Sequence, residues 1–266
     1  MPEANKAKTA RRVIEVLEYF DEQHPHATVM DIVRRYKRPQ SSTSELLASL
    51  VEMGILYKDA ASRSYTPTPR AALLGSISQP RPVREGRVTV LVDTLSAQTG
   101  LGTALVGMVG LNAQLFRWRT SAKRQVADHV EQLSSGLLDR LCDNAAGWLL
   151  LSTLAPQRRE GMLRRMNAEA AADARFGHSE MADRIEQCAR LGYAIGPTGF
   201  GSNDMMCAVL LPWDGEERPL VVGVAYQPSQ RVDSDTLIAA LQFSVHRCIE
   251  HPYQDGEVVR LVSDAA

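Results

Sequence analysis

Ala10, Val13, Ile14, Leu17 and Phe20 fall on one stripe at helical spacing with charged residues opposite, and predict a first helix over Thr9 to Phe20. Thr28 can cap a second helix, with Asp31 three residues on as its reciprocal partner and Val29, Ile32, Val33 and Tyr36 facing inward. That helix stops at the basic turn Arg34, Arg35, Lys37, Arg38, because Pro39 disfavours helical geometry in the residue before it. A third helix restarts in Ser41 to Glu45, where Ser42 and Glu45 have the spacing of a reciprocal capping box. Leu46, Leu47, Leu50 and Met53 form its inward side, and Gly54 supplies a left-handed stop. Ile55 to Tyr57 and Ser64 to Thr66 then predict two short strands around a hairpin tip that ends in Arg63. Two apolar helix faces across a short turn, followed by a hairpin, spell a winged helix-turn-helix.

The outward face of the third helix is small and polar: Ser41, Ser42, Glu45, Ala48, Ser49 and Glu52. A face without bulk can approach the base edges of a major groove, which makes double-stranded DNA the leading partner. The candidate contact residues are Arg35, Lys37, Arg38, Gln40, Ser41, Ser42, Thr43, Ser44 and, on the wing, Arg63. Glu45 carries two readings. As the partner of Ser42 it is a cap, which the spacing favours; facing the groove it would accept a hydrogen bond from cytosine. A helix-turn-helix is also an ordinary packing unit, so an enzyme or metabolite-binding module in which it serves only dimerisation is the alternative.

Past Thr66 the pattern changes. Residues 77–86, Ile77 to Gly86, contain two prolines and break periodicity, and are expected to link a domain over 1–76 to a larger one over 87–266. Val88, Leu91, Val92 and Leu95 predict an amphipathic helix ending near Gly100. Strands are expected at Leu101 to Val109 and Gln114 to Arg119, joined by Gly110 to Ala113, and again at Tyr193 to Ile195, Met205 to Leu211 and Leu220 to Tyr226. Between and after them lie helices at Asn144 to Leu154, Pro156 to Arg175, Ser179 to Leu191 (capped by Ser179) and Ser234 to Cys248. The order strand pair, helices, strands, helix predicts an α+β domain around an antiparallel sheet.

Several segments together resemble one family. Arg11 to Leu17, Met30 to Val33, Pro39 to Ser42, Leu46 to Gly54 and Tyr65 to Thr68 are similar to the N-terminal domain of IclR-type bacterial transcriptional regulators. Thr99-Gly100, the hairpin-like Val109 to Ser121, Asn144 to Gly147 leading into Leu149 to Leu151, Leu191 to Ala194 and Cys207 to Pro212 resemble landmarks of that family's effector-binding domain in their usual order. The resemblance implies a GAF-like fold for the second domain and a homodimer, or dimers paired as tetramers on DNA. It places the effector site between the sheet and the helix opening at the Ala-x-Gly segment. On that carry-over Trp118, Asn144, Ala145, Trp148, Asp204, Cys207, Val224 and Tyr226 line the pocket. Three aromatics among them favour a flat or apolar effector, an aromatic or alicyclic carboxylate. Alternation along the strand turns Arg117 and Arg119 away from it. The chain departs from the family where Gln40-Ser41-Ser42 replaces the usual Lys-Ser-Thr, where Glu45 replaces an Arg, and where Trp148 replaces a Lys.

Composition narrows the rest. The chain of 266 residues is 44% apolar and 23% charged, ordinary for a globular protein of two domains. Residues 1–90 hold 14 Lys and Arg against 10 Asp and Glu, and the remainder 16 against 21, a modest asymmetry of the right sign for a DNA-binding front end. No run approaches the roughly 18 apolar residues of a membrane span, and the N-terminus lacks a signal-peptide core, so a cytoplasmic location is expected. Cys142, Cys188, Cys207 and Cys248 are far apart and predict neither a zinc site nor a disulfide framework. Gly196 to Gly201 is glycine-rich but opens no helix, and Gly100-Leu101-Gly102 precedes a strand, so neither reads as a nucleotide loop. His24 and His26 have no further ligands nearby in sequence. No catalytic residue, metal or cofactor is expected. The reading is a regulator whose second domain senses an intermediate of a catabolic pathway, with repression or activation left open.

Overall fold

A computed structural model of the chain describes residues 3–21, 23–120, 133–212 and 219–250. Ser121 at the end of the expected hairpin, and residues 251–266 of the expected second domain, lie outside this range. The chain divides into two compact units, Met1–Arg84 and Glu85–Ala266.

The first unit runs α1 (Glu3–Glu18), α2 (Val29–Tyr36), α3 (Gln40–Glu52), β1 (Leu56–Lys58), β2 (Tyr65–Pro67), α4 (Pro69–Leu73) and α5 (Arg81–Arg84). Thr28 caps α2 reciprocally: its hydroxyl accepts from Asp31 N, and Asp31 Oδ2 accepts from Thr28 N at 2.8 Å. The hydrogen bonds from Thr28 hold the Asp31 carboxyl below its usual pKa. Val16, Ile32, Leu47, Leu50, Ile55, Leu56 and Tyr65 are buried together. The stripe of α1 is rotated from the one expected, with Val16 buried and Ile14 56% exposed, because the face meeting α2 and α3 follows Val13, Val16, Leu17 and Phe20. Ala27 and Tyr65 exchange backbone hydrogen bonds of 3.0 and 2.7 Å, which ties the loop before α2 to the wing. The stretch expected as an aperiodic linker is partly helical, in a 3-10 turn at Ser76–Ser78 and in α5.

The second unit holds α6 (Arg87–Thr99), β3 (Gly102–Val109), β4 (Asn112–Arg119), β5 (Leu138–Arg140), α7 (Ala145–Ser152), α8 (Pro156–Glu169), α9 (His178–Leu191), β6 (Tyr193–Gly199), β7 (Ser202–Leu210), β8 (Leu220–Tyr226) and α10 (Ser234–Val245), which runs into a π-turn at His246–Glu250. The strands form one antiparallel sheet in the order β5-β4-β3-β8-β7-β6. This is the GAF-like α+β arrangement expected. Helix α7 lies on one face of the sheet, α6 and α10 on the other, so successive strand residues alternate between two apolar layers.

Three local expectations are corrected. Gly177 rather than Ser179 precedes α9, with no side-chain cap. Strand β6 extends through the glycine-rich segment, so only Gly199-Phe200-Gly201 turns, all three at positive φ. A residue of β4 is unpaired between Leu115 and Arg117, a bulge that reverses side-chain facing beyond it. Trp118 therefore pairs with Ala104 and joins the α7 layer, while Phe116 stays 43% exposed. Among the described residues no helix is long and apolar enough to cross a membrane.

Candidate functional site

Helix α3 begins at Gln40, three residues earlier than a cap at Ser42 implies. The conformational restriction of proline falls on the residue before it, so extended Pro39 (φ −60°, ψ 139°) itself leads directly into Gln40. Ser42 is consequently inside the first turn. Its hydroxyl donates to the Pro39 carbonyl at 3.3 Å and accepts from Arg12 Nη2 at 3.2 Å. The expected Ser42–Glu45 capping box is absent, because no side chain caps this helix. Gln40, Ser41, Ser44, Glu45, Ala48, Ser49 and Glu52 are exposed along one side of α3, and Thr43, Leu47 and Leu50 are buried on the other.

Two expected contact residues are engaged elsewhere. Thr43 is 1% exposed and donates its hydroxyl to the Pro39 carbonyl at 2.9 Å, so it faces the core rather than a groove. Arg38 Nη2 donates to both Glu15 carboxylate oxygens, at 2.9 and 3.0 Å, and braces α1 against the turn before α3. Arg34, Arg35 and Lys37 remain exposed, with Lys37 left-handed (φ 51°) as the cap of α2. On the wing Asp59 orders the tip by accepting from Ala61 N at 2.8 Å and Ser62 Oγ at 2.9 Å, and exposed Arg63 takes a left-handed φ of 56°. Arg38→Ala is accordingly expected to cost the first unit stability, by about 1 kcal/mol for a half-buried ion pair. The slope of log K for DNA against log salt should not change; a slope lower by about one unit would return Arg38 to the phosphates.

The sheet separates the candidate effector residues. Trp118, Asn144, Ala145 and Trp148 belong to the α7 layer. Cys207 and Val224 are register partners on the opposite layer, and Tyr226, two residues along from Val224, shares it; burial there raises the pKa of both the Cys207 thiol and the Tyr226 hydroxyl. These three are therefore removed from a pocket beside α7, by one step of strand alternation. Their neighbours on the α7 side are Met206 and Ala225, which pair with each other. Asp204 is 6% exposed on β7. Arg117 and Arg119 both turn to Asp93 on α6, at 3.2 and 3.6 Å, away from that layer as expected.

A single row of the α7 face runs Gly102, Ala225, Met206, Gly196 across β3, β8, β7 and β6. An indole covers each end. A Cβ on Gly102 would lie 2.4 Å from the Trp118 ring, and one on Gly196 2.4 Å from the Trp148 ring. Only glycine admits such approach. The row spans about 14 Å at the usual ~4.8 Å strand spacing, so Ala225 and Met206 form a floor between the two rings. Trp148 is 7% exposed, donates Nε1–H to the Cys142 carbonyl at 2.7 Å, and lies under the Arg184 guanidinium, 4.6 Å from the ring centroid. Asn144 is the α7 cap: Oδ1 accepts from Gly147 N at 2.7 Å, while Nδ2 donates to Asp139 Oδ2 and the Arg140 carbonyl. Asp139 also accepts from Phe200 N at 3.0 Å, which holds the β6–β7 turn against the start of α7. Thr198, two residues beyond Gly196, is fully buried with a hydroxyl that has no partner among the described residues. Nothing in the sequence flagged Met206, Ala225 or Thr198, since each reads as strand filling until register is known.

Burial pushes the Cys142 thiol up to about 12 and the Cys188 thiol to about 11, and raises those of Cys207 and Cys248. All four are neutral thiols near pH 7, unsuited to nucleophilic chemistry. Among the described residues no group of three or more His, Cys, Asp or Glu is placed to hold a metal.

Residues 9–60 match the IclR helix-turn-helix domain family. In fold the chain is similar to an IclR transcriptional regulator from Alicyclobacillus acidocaldarius, with a TM-score of 0.57 and 19% identity over 91% of this chain and 96% of that one. It is also similar to an IclR homologue from Microbacterium hydrocarbonoxydans complexed with 4-hydroxybenzoate (TM-score 0.52, 19% identity, 89% of this chain and 95% of that one). A third is the repressor BlcR of Agobacterium tumefaciens (TM-score 0.51, 18% identity, 91% and 96%). By sequence, no curated protein matches the chain.

Proposed function

We propose that this chain, whose residues 9–60 form an IclR helix-turn-helix domain, is a DNA-binding transcriptional regulator controlled by a small organic effector. The observation that carries the reading is the surface of the first unit: exposed Arg34, Arg35 and Lys37 stand beside a helix whose outward side is small and polar. Cations position such a domain on phosphates, and the small face admits it to the major groove. The protein acts on DNA in the cytoplasm, as a homodimer that doubles these contacts, and the regulated genes belong to a catabolic operon. It is not an enzyme. Binding of the purified chain to the DNA upstream of its own gene should weaken linearly in log salt; salt-independent or absent binding would favour a module in which the helix-turn-helix only dimerises.

The effector reading rests on the row between Trp118 and Trp148. Apolar walls with few polar groups suit a flat carboxylate-bearing ring, and Thr198 supplies one unpaired hydroxyl nearby. Such a ligand acts only through unequal affinity for two arrangements of the DNA-binding domains. Titration of the full chain with 4-hydroxybenzoate and alicyclic carboxylates should change indole emission, and Trp118→Phe should reduce that change. Saturating binding with unaltered emission would move the pocket off this row.

A further inference from the structure

The outward side of α3 bears an unusual charge for a helix read as entering DNA. From Gln40 to Glu52 it has no Lys or Arg, and its two charges, Glu45 and Glu52, are both exposed carboxylates. Glu45 sits a turn and a half into the helix, on the stripe Ser41, Glu45, Ala48, Glu52. Its neighbours Ser41, Ser44, Ala48 and Ser49 are all small, so past Gln40 at the helix start Glu45 is the long exposed side chain rising from a low floor in the N-terminal half. The cap role is excluded by the start of the helix at Gln40, and exposed Glu45 has no hydrogen bond or ion pair among the described residues. A carboxylate brought between phosphate backbones is repelled unless a donor receives it. In the major groove the base-edge donors are the cytosine and adenine amino groups, whereas guanine O6 and N7 and thymine O4 are acceptors. Adenine sets its N7 acceptor beside the amino group, against the second carboxylate oxygen; cytosine sets a neutral C5–H there.

We propose that Glu45 is a specificity-determining residue that reads a cytosine amino group in each half-site of the DNA this protein binds. The proposal rests on the DNA-binding reading above. Phosphate anchoring then belongs to Arg34, Arg35, Lys37 and the wing, while the carboxylate supplies discrimination, by accepting from cytosine and by repelling keto bases.

The test is selection of binding sites from a random duplex library by the full chain, followed by affinity measurement for each base at each selected position. The wild type should require cytosine at one position per half-site, with about tenfold or greater loss for guanine or thymine. Glu45→Ala should flatten the preference at that position alone and leave the others and the salt slope intact. Glu45→Gln should shift it toward adenine, since a carboxamide pairs with adenine N6 and N7 together. Glu52→Gln, at the last residue of the helix, serves as the control and should change no base preference. Glu45 is exposed, so matched thermal melting of the variants will show that the fold is intact. A cytosine preference that survives Glu45→Ala overturns the proposal; failure of the wild type to select any sequence overturns the DNA-binding reading instead.

Discussion

Trp148→Ala should lower the melting temperature of the second unit by roughly 6–20 °C. The ring is 7% exposed, lies directly over Gly196 and under Arg184, and donates its N–H to the Cys142 carbonyl. Truncation leaves an indole-sized void between α7 and β6 and strips the buried carbonyl of its donor. Trp→Ala changes of this kind cost roughly 3–5 kcal/mol, and a domain of this size loses about 2–4 °C per kcal/mol. Trp148→Lys is expected to behave similarly, because an ammonium placed in that buried layer loses its hydration. Gly196→Val supplies the reciprocal check, since its Cβ would lie 2.4 Å from the same ring. Thermal melting followed by circular dichroism decides the matter. A Trp148→Ala protein that melts with the wild type would show the indole to be a replaceable lining residue rather than a wedge.

Replacing Arg34, Arg35 and Lys37 together by Ala should nearly abolish DNA binding at moderate salt. Each exposed cation that meets a phosphate contributes about 0.9 to the slope of log K against log salt, so the triple change should remove up to about 2.7 units of slope per DNA-binding domain. The fold should tolerate it, because all three side chains are exposed and none belongs to the buried cluster of the first unit. Fluorescence anisotropy with labelled duplex across a salt series reports slope and affinity together. An unaltered slope would place the phosphate contacts elsewhere, on the wing around Arg63 or on α1. The contrast with Arg38→Ala is informative, for the two cations differ by one residue from Lys37 to Arg38 and yet are assigned opposite roles.

That contrast shows why the site was only partly legible in the sequence. Nothing local distinguishes Lys37 from Arg38; the distinction is made by Glu15, which lies 23 residues away and reaches Arg38 only once α1 packs beside the turn. Thr43 looked like part of a polar opening to the recognition helix and proved to face inward, because the helix starts at Gln40 and rotates its third turn-neighbour into the core. In the second unit the strand carrying Cys207 and that carrying Val224 were placed correctly, but their facing was not. One residue of register exchanges Cys207 and Val224 for Met206 and Ala225, and no local pattern signals it when both faces of a strand are apolar.

The elements themselves needed no tertiary information. The helical stripe of α2, that of α3 as far as Leu50 (Met53, expected to face inward, is 52% exposed), the Thr28–Asp31 capping box, the left-handed Gly54, and the five strand segments that become β3, β4, β6, β7 and β8 follow from spacing, capping chemistry and β-branched or aromatic content, all of them short-range properties of the chain. The tertiary structure alone decided what those elements present. It set which cations are spent on carboxylates and which stay exposed, that Glu45 stands free of any cap, and that Trp118 and Trp148 share one face of the sheet over a row ending in two glycines. Such choices depend on partners tens of residues apart and on a single bulge in β4, and contacts of that range are made by packing, where periodicity carries no information.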